Sequence, residues 1–121
     1  MSTIARRKVY HVFKFANGTA VSSNSISLEA GAFGTLLCTS AVNGKDCNFE
    51  TVVVGTELEP LVTTPADFAG IDLLSTDKPL ATGANPFDAD EALQLAAGGV
   101  VKMVLDSNVS ADAEVVLIWG A

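Results

Sequence analysis

Lys8–Phe15 reads KVYHVFKF and runs through Ala16 straight into Asn17-Gly18. Five of its eight residues (Val9, Tyr10, Val12, Phe13 and Phe15) are aromatic or β-branched, types that fit a pleated, half-buried surface. Asn-Gly is the strongest short-range hairpin signal, so the stretch predicts a first strand that turns into Thr19–Ser23. As a strand it sorts its side chains by parity. Lys8, Tyr10, Val12 and Lys14 share one face, and Val9, His11, Phe13 and Phe15 the other. His11, the single histidine of the chain, is therefore expected as a core or interface side chain and not as a catalyst.

The same logic predicts two further hairpins. Gly34–Val42 (GTLLCTSAV) leads through Asn43-Gly44-Lys45-Asp46 into Cys47–Val54, closed by Gly55. Val100–Leu105 leads through Asp106-Ser107-Asn108 and a polar stretch to Asp112, then into Glu114–Trp119. Composition agrees, because 14 Val, 10 Thr and 4 Ile outnumber 5 Lys, 6 Glu, 2 Arg and one Gln. The expected fold is mainly β, a β-sandwich or jelly-roll-like arrangement built on three hairpin units with a long proline-containing crossover.

With 121 residues, 49% apolar and 17% charged, the chain is expected to form one β domain over residues 1–121, with a basic N-terminal arm (1–8) and an irregular excursion (60–86). All four prolines (Pro60, Pro65, Pro79, Pro86) fall in that excursion, which excludes a regular sheet interior there. Within it, Thr64-Pro65-Ala66-Asp67 has the form of a helix start that Gly70 cuts short. Ile26–Gly31 (ISLEAG) and Leu93–Gly98 (LQLAAG) share an apolar-x-apolar-x-Ala-Gly pattern, which is either an internal echo or a coincidence of β-turn context. On that pattern Asp90–Ala97 is expected as strand and turn, the alternative being a short helix capped by Asp88.

Charge is unevenly placed. Arg6, Arg7, Lys8 and Lys14 precede the first acid, Glu29, whereas residues 29–121 hold 3 bases and 14 acids, within a net charge of −7. An acidic body repels phosphate backbones, so no nucleic-acid partner is expected. Apolar runs such as Val115–Trp119 are far below the roughly 20 residues of a membrane helix, and no signal peptide is expected in the first residues.

Chemical constellations are missing. Cys38, Cys47 and His11 are too few for a zinc site. In the predicted hairpin, the two cysteines fall on one face but diagonally displaced, or on opposite faces, so two free thiols are expected. A Ser-His-Asp triad through His11 lacks any marked nucleophile, and there is no nucleophile elbow, phosphate loop or dinucleotide fingerprint. Asn85, Asp88, Asp90 and Glu91 could wrap a calcium ion only without the usual loop spacing. Glu57 and Glu59 are read as paired exposed acids on a strand. No catalytic, cofactor or metal residue is assigned, no cofactor is expected, and no enzyme is expected.

A small acidic β chain with a basic arm, a proline-rich excursion and a C-terminal apolar strand (Val115–Trp119) resembles the small head decoration, or cement, proteins of tailed bacteriophages. The resemblance lies in size, strand layout and the ISLEAG and LQLAAGG segments. It implies a structural role on the capsid exterior of a virion, assembled in the host cytoplasm. The implied partners are the major capsid protein or like subunits, as a homo-oligomer with no membrane and no nucleic acid bound. From the sequence itself, the protein-contact residues are expected to be Arg6, Arg7, Lys8, Phe68, Phe87 and Trp119. The competing classes are another structural or fibre-type module that binds protein or carbohydrate, with Tyr10, Phe87 and Trp119 as stacking rings, and a cupin-like enzyme, which one histidine denies.

Overall fold

The first strand, β1 (Lys8–Phe15), forms as predicted, but its partner is the last strand of the chain, with Tyr10 opposite Ile118 and Phe15 opposite Ala113. The structure, a computed structural model, describes residues 8–120. After β1 come β2 (Ile26–Ser27), β3 (Phe33–Cys38), β4 (Asp46–Thr51), β5 (Lys78–Pro79) and β6 (Gly83–Pro86). One helix, α1 (Ala89–Ala96), then leads to β7 (Val100–Leu105) and β8 (Ala113–Gly120).

These strands form two four-stranded antiparallel sheets, in the orders β1-β8-β3-β6 and β2-β7-β4-β5. Each strand therefore pairs with the one equally far from the other end: β1 with β8, β2 with β7, β3 with β6 and β4 with β5. The pairs β3·β8 and β4·β7 then join them into sheets. A long antiparallel ribbon rolled over on itself gives this order, which is the jelly roll. The fold class is the expected one.

The three predicted hairpins are corrected by the same register, since in each case the chain crosses from one sheet to the other. Gly18 adopts the positive φ of 82° that the Asn-Gly turn requires. Beyond it the chain leaves β1 and runs beside β7, where Leu105 donates its N–H to the Ala20 carbonyl at 2.7 Å and Val21 bridges Val104. The turn chemistry was legible, the destination was not. Between β3 and β4 a 3-10 turn (Ser40–Val42) buries Val42 completely, and between β7 and β8 Val109 is buried at 1% exposure. Both connections seal the ends of the sandwich instead of closing a two-strand ribbon.

The inward faces meet in one core. Phe13, Leu36, Leu117 and Trp119 come from the first sheet and Phe49, Val101 and Met103 from the second, all at 0% exposure. The Phe13 and Phe49 rings lie 5.6 Å apart across the interior, a tilted pair of the kind aromatic quadrupoles favour. Cys38 and Cys47 are both buried free thiols in opposite sheets, so their separation does not rest on a hairpin register.

The expected strand at Asp90–Ala97 is helix α1 instead. Asp88 accepts from the Glu91 N–H at 2.7 Å while the Glu91 carboxylate accepts from the Asp88 N–H at 3.0 Å, a complete capping box. Ala92 and Leu95, three residues apart, then fall on one helical face and pack into the core. The ISLEAG and LQLAAG segments are thus a strand end and a helix end, and their likeness carries no shared structure.

The excursion, expected to be irregular over 60–86, contains two short strands. Pro79 lies in β5 and Pro86 in β6, the edge strands of the two sheets, where a missing N–H costs no ladder bond. Thr64 precedes a single 3-10 turn (Pro65–Phe68), and Gly70 follows at φ 84°. The long β4–β5 connection, residues 52–77, is fastened at its far end by Asn48. Its amide oxygen accepts from the Leu74 N–H at 2.9 Å, and its amide nitrogen donates to the Leu74 carbonyl at 3.0 Å and to Asp77 at 2.8 Å.

Candidate functional site

Hydrogen bonding and burial constrain the histidine and the two thiols. His11 Nε2 meets Glu29 Oε1 at 3.0 Å, and among the described residues no serine, threonine or cysteine bonds to it. Among the described residues, no catalytic triad is assembled through His11. Burial pushes the Cys47 thiol up to about 12, with nearby Cys38 adding to the shift, and burial also raises Cys38. Neither is a thiolate at neutral pH. Among the described residues no group of three or more His, Cys, Asp or Glu is placed to hold a metal ion.

Of the loosely spaced calcium set, Asp88, Asp90 and Glu91 line one depression of about 330 Å³ with Asp77, whereas Asn85 does not reach it. Asn85 is buried, accepting from the Ala81 N–H at 2.9 Å and donating to the Leu36, Ala81 and Gly83 carbonyls. Asp88 caps α1, and Glu91 pairs with Lys78 at 3.1 Å. Glu57 and Glu59 lie in the β4–β5 connection and not on a strand. A depression of about 530 Å³ beside β1 and β8 is lined by Lys14, Ser23, Thr39, Asp112 and Glu114, and the Ser23 hydroxyl there donates to the Lys14 carbonyl at 3.2 Å.

The residues expected to contact a partner separate into three groups. Arg6 and Arg7 lie outside the described residues, while Lys8 opens β1 and is exposed. Phe68 is half-buried at the end of the 3-10 turn. One expectation is corrected. Trp119 is 0% exposed and donates Nε1–H to the Glu29 carbonyl at 2.9 Å, so it is a core residue. Phe87 is half-buried, packing edge-on against Phe49 with ring centroids 6.0 Å apart, and Lys78 Nζ stands 5.3 Å from its ring. The misassignment of Trp119 follows from aromatic type alone, because period-2 parity places it with Leu117 and Val115 on the inward face of β8.

Two apolar surfaces were missed. The first is the β4–β5 connection, where Val54 is 73% exposed, Leu58 94% and Val62 100%. The second is the outward face of the β1-β8-β3-β6 sheet. Register sets Tyr10, Ile118, Thr35 and Pro86 side by side in one row, and Val12, Val116, Leu37 and Ala84 in the next. Neither row holds a charge. Tyr10 is 66% exposed and Leu37 37%. The outward face of the other sheet is different in kind: Glu50 pairs with Lys102 at 3.7 Å, Asn48 is buried under the 74–77 segment, and Asp72 bridges Glu50. The parity of Val115–Trp119 could have revealed the apolar sheet face, since an apolar residue at every position of a strand means apolar side chains on both sides.

No helix among the described residues is long and apolar enough to cross a membrane. Compared with protein-family models, with curated proteins and with solved structures, the chain matches none.

Proposed function

We propose that this chain is a structural protein of a virus particle, a capsid decoration or cement protein that reinforces the head lattice from outside through contacts with the major capsid protein and with like subunits. The observation that carries the proposal is the fully exposed apolar residue pair Leu58 and Val62 on a 26-residue connection of a jelly roll, residues 52–77. Connections of that length in a compact domain are uncommon and commonly functional. Fully burying one such side chain in a partner contributes about 1.5–3 kcal/mol. Repetition of a modest contact over a symmetric lattice multiplies it through effective concentration, so a small domain can act as a clamp. Jelly rolls serve capsid and lectin domains alike, which keeps a fibre-type or sugar-binding module as the competing role.

The test is co-sedimentation of the purified protein with tailed-particle heads produced from the same genetic source, followed by electron microscopy. Saturable binding on the outer surface is the expected result, weakened by Leu58→Lys and Val62→Lys. Absence of binding to heads together with retention on immobilised glycans would replace this reading with the sugar-binding one.

A further inference from the structure

We infer that the tip of the β4–β5 connection is a preformed knob, and that its partner is a protein surface with an apolar socket rimmed by Lys and Arg side chains. The inference rests on the capsid reading, to which it adds the chemistry of the surface that receives the knob. The knob is closed twice. At its neck Gly55 lies so close to Leu61 that a Cβ there would stand 2.6 Å from the Leu61 backbone nitrogen, so any side chain at this position forces the neck open. Beyond the neck the Thr56 N–H donates to the Glu59 carbonyl at 3.1 Å, and the Glu59 N–H donates to the Thr56 hydroxyl at 2.9 Å. Pro60 then fixes the backbone on the way out. A segment ordered in this way before it docks loses little conformational freedom on docking.

The side chains of the knob define their complement. Leu58 stands within the closed turn, 94% exposed, between the exposed Glu57 and Glu59, and Val54 and Val62 border the neck. An apolar anchor between two carboxylates fits an apolar hole with cations at its rim. The rest of the connection adds no cation, since residues 52–77 hold five acids and no Lys or Arg. That sign disfavours phosphate backbones and anionic lipid surfaces. The body of a second copy offers no basic rim either, because each lysine of residues 29–121 is engaged within its own chain. Lys45 donates to the Ser107 hydroxyl and the Asn108 carbonyl, Lys78 pairs with Glu91 at 3.1 Å, and Lys102 pairs with Glu50 at 3.7 Å. The occupant is therefore a protein of different sequence. Lys8 belongs to the other sheet, about 10 Å away, which at a screening length of about 8 Å gives it a separate patch of the partner.

The probe is tailed-particle heads from the same genetic source, with binding measured at low salt and at about 1 M salt, where the screening length falls to about 3 Å. Leu58→Ala should raise the dissociation constant at least about tenfold at both. Glu57→Lys with Glu59→Lys should raise it about tenfold at low salt and leave it within about twofold of the parent at the higher salt, with the corresponding Gln pair in between. Gly55→Ala keeps Leu58 and both acids and should weaken binding at both salts through the opened neck. Each variant changes exposed or loop positions and should melt like the parent. Heads bound equally by the parent and by the Glu57/Glu59 variant at low salt overturn the basic rim and leave the capsid reading standing. A parent that does not bind heads removes that reading and this inference with it. Self-association of the protein that Leu58→Ala abolishes assigns the socket to a second copy, which also overturns the inference.

Discussion

Cys47 shows how a residue's surroundings become a pH dependence of the whole fold. Its side chain is 1% exposed, and burial together with the neighbouring Cys38 moves its ionisation from 9.0 to about 12. Below pH 9 the thiol is protonated both folded and unfolded, and it adds no pH dependence. Above pH 9 the unfolded chain releases the proton and the folded chain does not, so stability falls as pH rises until the folded thiol ionises as well. The slope from one such group reaches about 1.4 kcal/mol per pH unit. Urea midpoints at pH 8, 9, 10 and 10.5 should therefore decline more steeply for the parent than for Cys47→Ala, and equal slopes would remove the thiol as the cause. Sequence alone made the thiols legible as free only through a hairpin that does not exist. Their assignment to opposite sheets depends on pairings between strands far apart in the chain, which no local signal encodes.

Elements show the divide between local and distant information most sharply. Strands β1, β3, β4, β7 and β8 were readable from β-branched and aromatic runs, because those signals act within a few residues, whereas β5 and β6 were hidden in a proline-containing stretch expected to be irregular. Pairing was not readable, since in a jelly roll consecutive strands alternate between sheets and only β4 and β5 are both consecutive and adjacent. Helix α1 was misread because its two-residue apolar spacing at Leu93 and Leu95 resembles a strand, while the decisive signal lay just upstream in Asp88-x-x-Glu91. That box gives a measurable expectation. Asp88→Ala should lower unfolding free energy by about 1 kcal/mol through the lost cap. Glu91→Ala should cost more, because the same carboxylate also neutralises Lys78, whose side chain is 12% exposed and whose other partner is the Pro86 carbonyl. Denaturant titration of both variants checks the order, and an Asp88→Ala effect exceeding that of Glu91→Ala would assign the stabilisation to the cap alone.

At the scale of the molecule, the distribution of exposed apolar groups separates the side chains that hold the domain together from those the proposed role assigns to a partner. Trp119 and Phe87, two of the aromatic residues first expected to reach a partner, pack in or against the interior, and the three most exposed large apolar side chains among the described residues are aliphatic: Val62, Leu58 and Val54 on the β4–β5 connection. Removing a side chain that touches little in the isolated domain leaves its stability within about 0.5 kcal/mol, whereas removing a core ring costs about 3–5 kcal/mol. Paired variants therefore distinguish the two roles. Leu58→Ser with Val62→Ser should melt like the parent and lose head binding at every salt concentration, because an apolar anchor is not screened. Deleting residues 1–7, which removes Arg6 and Arg7, should weaken binding chiefly at low salt, where a basic segment steers an acidic-bodied protein. Phe87→Ser, by contrast, should depress the melting temperature first and binding only as a consequence. Binding that survives the Leu58/Val62 double change at high salt would remove the connection as the anchor and transfer the contact to the open sheet face, where Tyr10 and Leu37 are the residues to change next.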